Sequence, residues 1–157
     1  MLRKFSFWLW ATVILQLLTG FIHGLGFFVE QKAENPTEEQ MLNLLTTYKM
    51  DMGAGFHPTM MTFFLALSSC FTLICFFAGW LNLYLKRKNI AIDVMKGVMG
   101  INAIIFGICF IVMAFLTFLP PTVLTGLIFL CSLLAYFTSG RVKSSDDINI
   151  KSYSQVF

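Results

Sequence analysis

The sequence predicts an all-α integral membrane protein, a four-helix bundle with a short amphipathic helix in the first extracytoplasmic loop. Four stretches, residues 5–29, 58–85, 97–119 and 122–140, contain no Asp, Glu, Lys or Arg. Each is close to or above the roughly 20 residues that a helix needs to cross a bilayer. Of the 157 residues, 57% are hydrophobic and 12% are charged, and the mean hydropathy is +0.77. Because hydrocarbon offers the backbone no hydrogen-bond partners, such segments must be helical.

One four-span domain, residues 1–142, and a polar tail, residues 143–157, account for the chain, so we expect no separate soluble module. The first span resembles a signal peptide, because Arg3 and Lys4 precede an apolar run. That run continues to Val29 without a small-x-small cleavage site. We therefore expect it to be retained as a membrane anchor, and we expect the tail to be a mobile cytoplasmic end.

The basic residues predict the orientation. Most of them precede the first span, lie between the second and third, or follow the fourth: Arg3, Lys4, Lys86, Arg87, Lys88, Lys96, Arg141, Lys143 and Lys151. The long loop after the first span is acidic: Glu30, Glu34, Glu38, Glu39 and Asp51 stand against Lys32 and Lys49. The positive-inside rule then places both termini in the cytoplasm. This topology accounts for the net charge of +3 without a nucleic-acid partner.

The long loop contains a helix pattern. Thr37 and Gln40 have the spacing of a capping box, and apolar residues follow at helical steps: Met41, Leu44 or Leu45, Tyr48 and Met52. We predict a helix over residues 38–51, on the outer membrane surface or over the bundle, with its Met41, Leu45 and Tyr48 face packed against the ends of the spans. Gly53 and Gly55 would end this helix, and Pro58 would begin the second span.

The cysteines Cys70, Cys75, Cys109 and Cys131 all fall inside spans, and none forms a Cys-x-x-Cys motif. A thiol oxidoreductase needs ionisable thiols that reach an aqueous substrate, so we interpret these cysteines as small buried apolar residues. The spans contain no acidic residue, which argues against proton-coupled transport.

Small residues four apart predict close helix packing, at Gly20 and Gly24 in the first span and at Ala103 and Gly107 in the third. Gln16 and Asn102 are the most deeply placed amides and need a partner. That partner is either another helix or a substrate.

The chain has two histidines, His23 near the end of the first span and His57 at the start of the second. We predict that they approach one another at the extracytoplasmic end of the bundle. They would line a polar pocket for the head of an apolar ligand, with Phe27, Phe56 and Met60 as walls. An imidazole there could also bind a metal, a haem iron or a quinone. Alternatively, His23 bonds a neighbouring helix and His57 is an ordinary interfacial residue.

Methionines near His57 suggest one version of a metal site. Met50 and Met52 form a Met-x-Met sequence, and thioether and imidazole ligands suit Cu(I). A copper site would then use His23, His57, Met50 and Met52. The competing interpretation is that these methionines pack against apolar neighbours.

The segment His23-Gly24-Leu25-Gly26-Phe27, the acidic loop with its short helix, and Met52-Gly53 leading to Phe63-Phe64 resemble a group of small bacterial four-helix membrane proteins that are DoxX-like in layout. The resemblance covers about residues 15–85. Members of that group often carry His-x-x-Gly-His at the end of the first span, whereas Phe27 stands here in place of the second histidine. The resemblance implies the fold and a bacterial inner-membrane location, but no reaction.

Two functions follow from the sequence. The favoured one is a non-enzymatic membrane protein without a cofactor, either an accessory subunit or a binder of a small apolar ligand between its helices. The alternative is a redox or cofactor-binding protein that holds a haem, a quinone or copper through His23 and His57. The expected partners are the lipid bilayer and another membrane protein or a second copy of the chain.

Overall fold

The computed structural model describes residues 2–29 and 32–139, without the side chains of Leu2 and Arg3. It contains five α-helices: α1 (Leu2–Leu25), α2 (Pro36–Thr47), α3 (Met60–Arg87), α4 (Ile92–Leu116) and α5 (Leu119–Thr138). A short 3₁₀ turn, Gly26–Phe28, follows α1. Four of the helices are long and apolar enough to cross a membrane, which confirms the all-α membrane fold class. The predicted tail, residues 143–157, lies outside the described residues.

The helices begin at positions that differ from the predicted spans. Helix α4 starts at Ile92 rather than at residue 97, because its first turns carry Asp93 and Lys96 and extend beyond the apolar stretch. Helix α3 starts at Met60, since Pro58 belongs to the preceding loop. Helix α5 starts at Leu119 and has proline in its first turn, where a missing backbone N–H is harmless.

The capping box of the loop helix lies two residues before the predicted one. Asn35 is the N-cap, and its side-chain oxygen accepts a hydrogen bond of 2.9 Å from the N–H of Glu38. The Glu38 carboxylate in turn accepts from the N–H of Glu34 at 2.7 Å. Pro36 occupies the first helical position. The prediction of Thr37 as the cap was therefore wrong, because Asn35 followed by Pro36 is the stronger start signal.

Helix α2 ends at Thr47, before the predicted end at residue 51. The chain then forms a closed turn in which the N–H of Met50 donates to the carbonyl of Pro58 at 2.9 Å. Gly53 and Gly55 have φ values of +76° and +80°, a region that favours glycine. They form the tip of this turn rather than the end of the helix.

The chain divides into two compact units. In the unit formed by residues 14–80, α1 and α3 approach closely through glycine. A Cβ added at Gly20 would lie 3.3 Å from the Cβ of Cys75, and one added at Gly79 would lie 2.7 Å from Cδ2 of Leu17. The predicted role of Gly20 is thus confirmed, and Gly79 has the same role on α3.

The other unit comprises, within the described residues, residues 2–13 and 81–139. Its apolar core contains Phe5, Leu9, Met95, Met99 and Ala135. Helices α4 and α5 interlock through glycine and aromatic rings: a Cβ at Gly107 would lie 3.1 Å from the ring of Phe129, and one at Gly126 would lie 3.0 Å from the ring of Phe110. The close approach predicted at Gly107 is confirmed.

Helix α4 has one buried face and a large exposed apolar surface. Its buried residues are Met95, Met99, Asn102, Ala103 and Phe106. Its most exposed positions include large aliphatic side chains, with Ile104 66% exposed and Ile108 59% exposed. Such a surface is unfavourable in water and favourable in lipid, so the exterior of α4 is suited to a bilayer.

Candidate functional site

His23 lies against α3. Its Nδ1 is 2.9 Å from Oγ1 of Thr72, and the Thr72 hydroxyl is 3.2 Å from the carbonyl of Ser68. A neutral imidazole that donates from Nδ1 to Thr72 satisfies both contacts, since the threonine hydroxyl has only one proton. The rings of Phe71 and Phe27 meet His23 edge-on, with centroids at 5.0 Å and 5.8 Å.

His57 has a different neighbour. It lies in the closed turn before α3, where its Nδ1 is 3.9 Å from Oδ1 of Asp51. Both side chains are mainly exposed, 54% for His57 and 77% for Asp51. A pair with this much solvent around it contributes little to stability.

The two histidines contact different parts of the chain. Between Met60 and Thr72, the partner of His23, α3 rises by about 18 Å at about 1.5 Å per residue. His57 precedes Met60, beyond the start of that helix. His23 contacts Thr72 and His57 contacts Asp51, so the shared histidine pocket stays a prediction.

The other predicted wall and ligand residues differ in how far they are buried. Phe27 contacts His23, whereas Phe56 is 70% exposed. Met60 and Met50 are half-buried, and Met52 is exposed. Among residues 2–29 and 32–139, no group of three or more His, Cys, Asp or Glu side chains is placed to hold a metal ion.

None of the four cysteines forms a disulfide. Cys75 and Cys131 are buried, Cys109 is half-buried, and Cys70 is exposed on the outside of α3. The interpretation of all four as buried apolar residues is thus wrong for Cys70. Cys70 is the eleventh of the 28 residues of α3, a helix long and apolar enough to cross a membrane.

A cavity of about 540 Å³ lies beside the loop helix. One wall is a single face of α2, formed by residues at steps of three and four: Glu39, Leu42, Asn43 and Thr46. The opposite walls come from the chain after α1 and the first turns of α3: Gly26, Phe27, Val29, Ala33, Met61 and Leu65. Cavities of about 300–1,000 Å³ are the usual size of small-molecule sites.

The two sides of this cavity differ in chemistry. The α2 wall is polar and rich in acceptors, because Glu39 adds a carboxylate and Asn43 an amide. The Thr46 hydroxyl donates to the carbonyl of Leu42 at 2.8 Å, which leaves its oxygen as an acceptor. The Glu38 carboxylate caps the helix, whereas Glu39 faces the cavity. The arrangement can hold an apolar body on one side and a hydrogen-bond-donating head on the other.

Several apolar residues of α2 lie outside the cavity lining and are exposed. Met41 is 52% exposed, Leu44 is 64% exposed and Tyr48 is 63% exposed. The prediction that the face of Met41, Leu45 and Tyr48 packs against the ends of the spans was therefore wrong for Met41 and Tyr48, whereas Leu45 is half-buried. Periodicity shows which residues share a face, but a bilayer can cover an apolar face as well as protein can.

Helices α1 and α3 each carry buried polar side chains. On α1, Thr12, Gln16 and Thr19 are fully or nearly fully buried, and His23 continues the same spacing. On α3, Thr72 and Asn82 are buried ten residues apart. Asn82 Nδ2 donates to Oδ1 of Asn102 at 3.3 Å, and Asn102 also donates to the carbonyl of Val98 at 2.8 Å.

These contacts resolve the question that the sequence left open for Asn102, whose partner is another helix. Sequence reasoning missed Asn82, Thr72 and the cavity face of α2. A sequence signal for the buried polar residues of α1 was present, because polar residues at steps of three and four within an apolar span indicate its buried face.

Comparisons of the chain with protein-family models, with curated proteins and with solved structures give no match. The function is therefore argued from the cavity and its surroundings.

Proposed function

We propose that this integral membrane protein is a non-enzymatic binder of a small amphiphile, with the ligand held in the cavity beside α2. The apolar chain of the ligand would lie against Phe27, Met61 and Leu65. Its head would donate hydrogen bonds to Glu39, Asn43 and Thr46 on α2. Since Glu39 is a carboxylate, a cationic amine is the head group that complements this wall best.

The observation that supports this proposal is the orientation of α2. A loop helix that merely covered the ends of two spans would turn its apolar face toward them. Here Met41 and Leu44 are exposed outside the cavity, while Glu39 and Asn43 line it beside Leu42. The outward face suits the membrane interface, so α2 would lie where an amphiphile can enter from the lipid.

The alternative function, cofactor binding through His23 and His57, would need both imidazoles at one centre. They contact Thr72 and Asp51, respectively. Haem, quinone or copper chemistry therefore has less support than ligand binding. The accessory-subunit version of the favoured function would not require a cavity at all.

We also propose that the cavity faces the extracytoplasmic side, with both termini in the cytoplasm. The basic residues around the α3–α4 loop and the acidic residues of the α2 loop support this orientation. The DoxX-like layout adds the proposal of a bacterial inner membrane. Reporter fusions at Asn35 and Ser145 should label opposite sides of the membrane, and labelling of both on one side would overturn the orientation.

Photolabelling tests the proposed function. The probe is dodecylamine with a diazirine on its chain, applied to the protein in phosphatidylcholine nanodiscs. We expect labelled peptides to contain Phe27, Leu42, Met61 or Leu65, and excess unlabelled dodecylamine to suppress the labelling. A probe with the same chain and a carboxylate head should label these peptides less. Labelling spread over exposed positions such as Ile104 and Ile108, without competition, would show partitioning into lipid only and would contradict the proposal.

A further inference from the structure

A second cavity, of about 230 Å³, lies where α3 ends and α4 begins. It is lined mainly by apolar side chains and by three polar residues: Phe5, Ser6, Leu9, Leu85, Lys86, Asn89, Ile90, Ile92 and Met95. No acidic side chain lines it. The nearest acid along the chain, Asp93, is exposed in the first turn of α4.

Lys86 is held at the edge of this cavity rather than extended into solvent. Its Nζ donates to Oγ of Ser6 at 3.1 Å and lies 4.0 Å from the ring centroid of Trp10. Neither neighbour neutralises the ammonium charge. Among residues 2–29 and 32–139, the one ion pair is that of His57 with Asp51, so within that part of the chain Lys86 has no carboxylate partner.

Two further features make this position favourable for an anion. Helix α4 begins at Ile92 without a side-chain cap, and its first backbone N–H groups have no partner within the helix. A helix N-terminus carries a partial positive charge. Asn89, which has a φ of +49° in the turn that ends α3, adds a side-chain amide to the lining.

We propose that this cavity binds the headgroup of an anionic phospholipid, with the phosphate at Lys86, Ser6 and Asn89. The apolar lining, with Ile90 and Ile92, would receive the start of the acyl chains. A lipid fits better than a soluble anion because six of the nine lining residues are apolar: Phe5, Leu9, Leu85, Ile90, Ile92 and Met95. This site is independent of the cavity beside α2.

The test compares two lysines of the same segment. Lys86→Met removes the charge at the cavity, whereas Lys88→Met removes an equal charge from an exposed lysine whose Nζ lies 5.8 Å from the Tyr84 ring centroid. Each protein is purified from vesicles of equal parts phosphatidylglycerol and phosphatidylcholine, and the retained lipid is measured by mass spectrometry. Asn89→Asp is a second variant that places a carboxylate at the cavity without removing Lys86.

We expect the wild-type protein to retain phosphatidylglycerol selectively. Lys86→Met should lower that selectivity by about tenfold, as loss of a charge-assisted hydrogen bond would, and Asn89→Asp should lower it as well. Lys88→Met should lower the selectivity for phosphatidylglycerol by no more than about threefold, because Lys88 would attract anionic lipid only through the general charge of the surface. Inorganic phosphate should not displace the lipid.

Three results would overturn the proposal. One is a wild-type protein without preference for phosphatidylglycerol. Another is an equal loss in Lys86→Met and Lys88→Met, which would indicate general surface charge. The third is displacement of the lipid by millimolar inorganic phosphate, which would indicate a site for a soluble anion.

Discussion

Replacing Gly79 by valine is expected to destabilise the protein by about 1–3 kcal/mol, because the new side chain overlaps Leu17. A Cβ at position 79 would lie 2.7 Å from Cδ2 and 2.8 Å from Cγ of Leu17, closer than carbon atoms pack. Valine adds two methyl groups beyond that Cβ. Either Leu17 must leave its position or α1 and α3 must separate. Thermal unfolding of the purified protein in detergent measures the loss.

Gly97→Val is the matched control, since it places the same side chain inside α4. A Cβ at Gly97 would meet nothing within 4 Å, so we expect little change in stability. The double variant Gly79→Val with Leu17→Ala removes the overlapping side chain and should recover part of the loss. Equal stability of Gly79→Val and the wild-type protein would contradict the close packing of α1 against α3.

The fold class was predictable because hydrocarbon imposes a simple rule. A segment that crosses the membrane must be helical and apolar, and the four segments without charge satisfy it. The helix starts were less predictable, since polar side chains decide them. Asn35 caps the start of α2, and α4 extends back over Asp93 and Lys96, neither of which belongs to an apolar run.

The site was less predictable, because it depends on how far each helix extends. His23 lies just before the long loop and His57 lies at its end. Their positions in the sequence therefore suggested a similar depth in the membrane. The contact of His23 with Thr72 shows that α3 continues about 18 Å past this level. No local pattern encodes that offset.

The sequence also did not predict which face of α2 lines the cavity. Leu42 and Leu44 have the same side chain and lie two positions apart, yet Leu42 lines the cavity and Leu44 is 64% exposed. The apolar periodicity alone favoured burial of the face formed by Met41, Leu45 and Tyr48, of which Met41 is 52% and Tyr48 63% exposed. The choice depends on whether lipid or protein surrounds that face, which the sequence does not specify.

The same two leucines provide the most direct test of the proposal that the cavity beside α2 binds an amphiphile. Leu42→Trp fills the cavity with an indole ring, whereas Leu44→Trp puts the same ring on the outward face of the same helix. The measurement is equilibrium binding of dodecylamine to each protein in phosphatidylcholine nanodiscs, with helix content checked by circular dichroism. Leu42→Trp should weaken binding at least about tenfold, or about 1.4 kcal/mol, and Leu44→Trp should bind like the wild-type protein. Equal affinities for all three folded proteins would contradict the account, because the amphiphile would then not occupy this cavity.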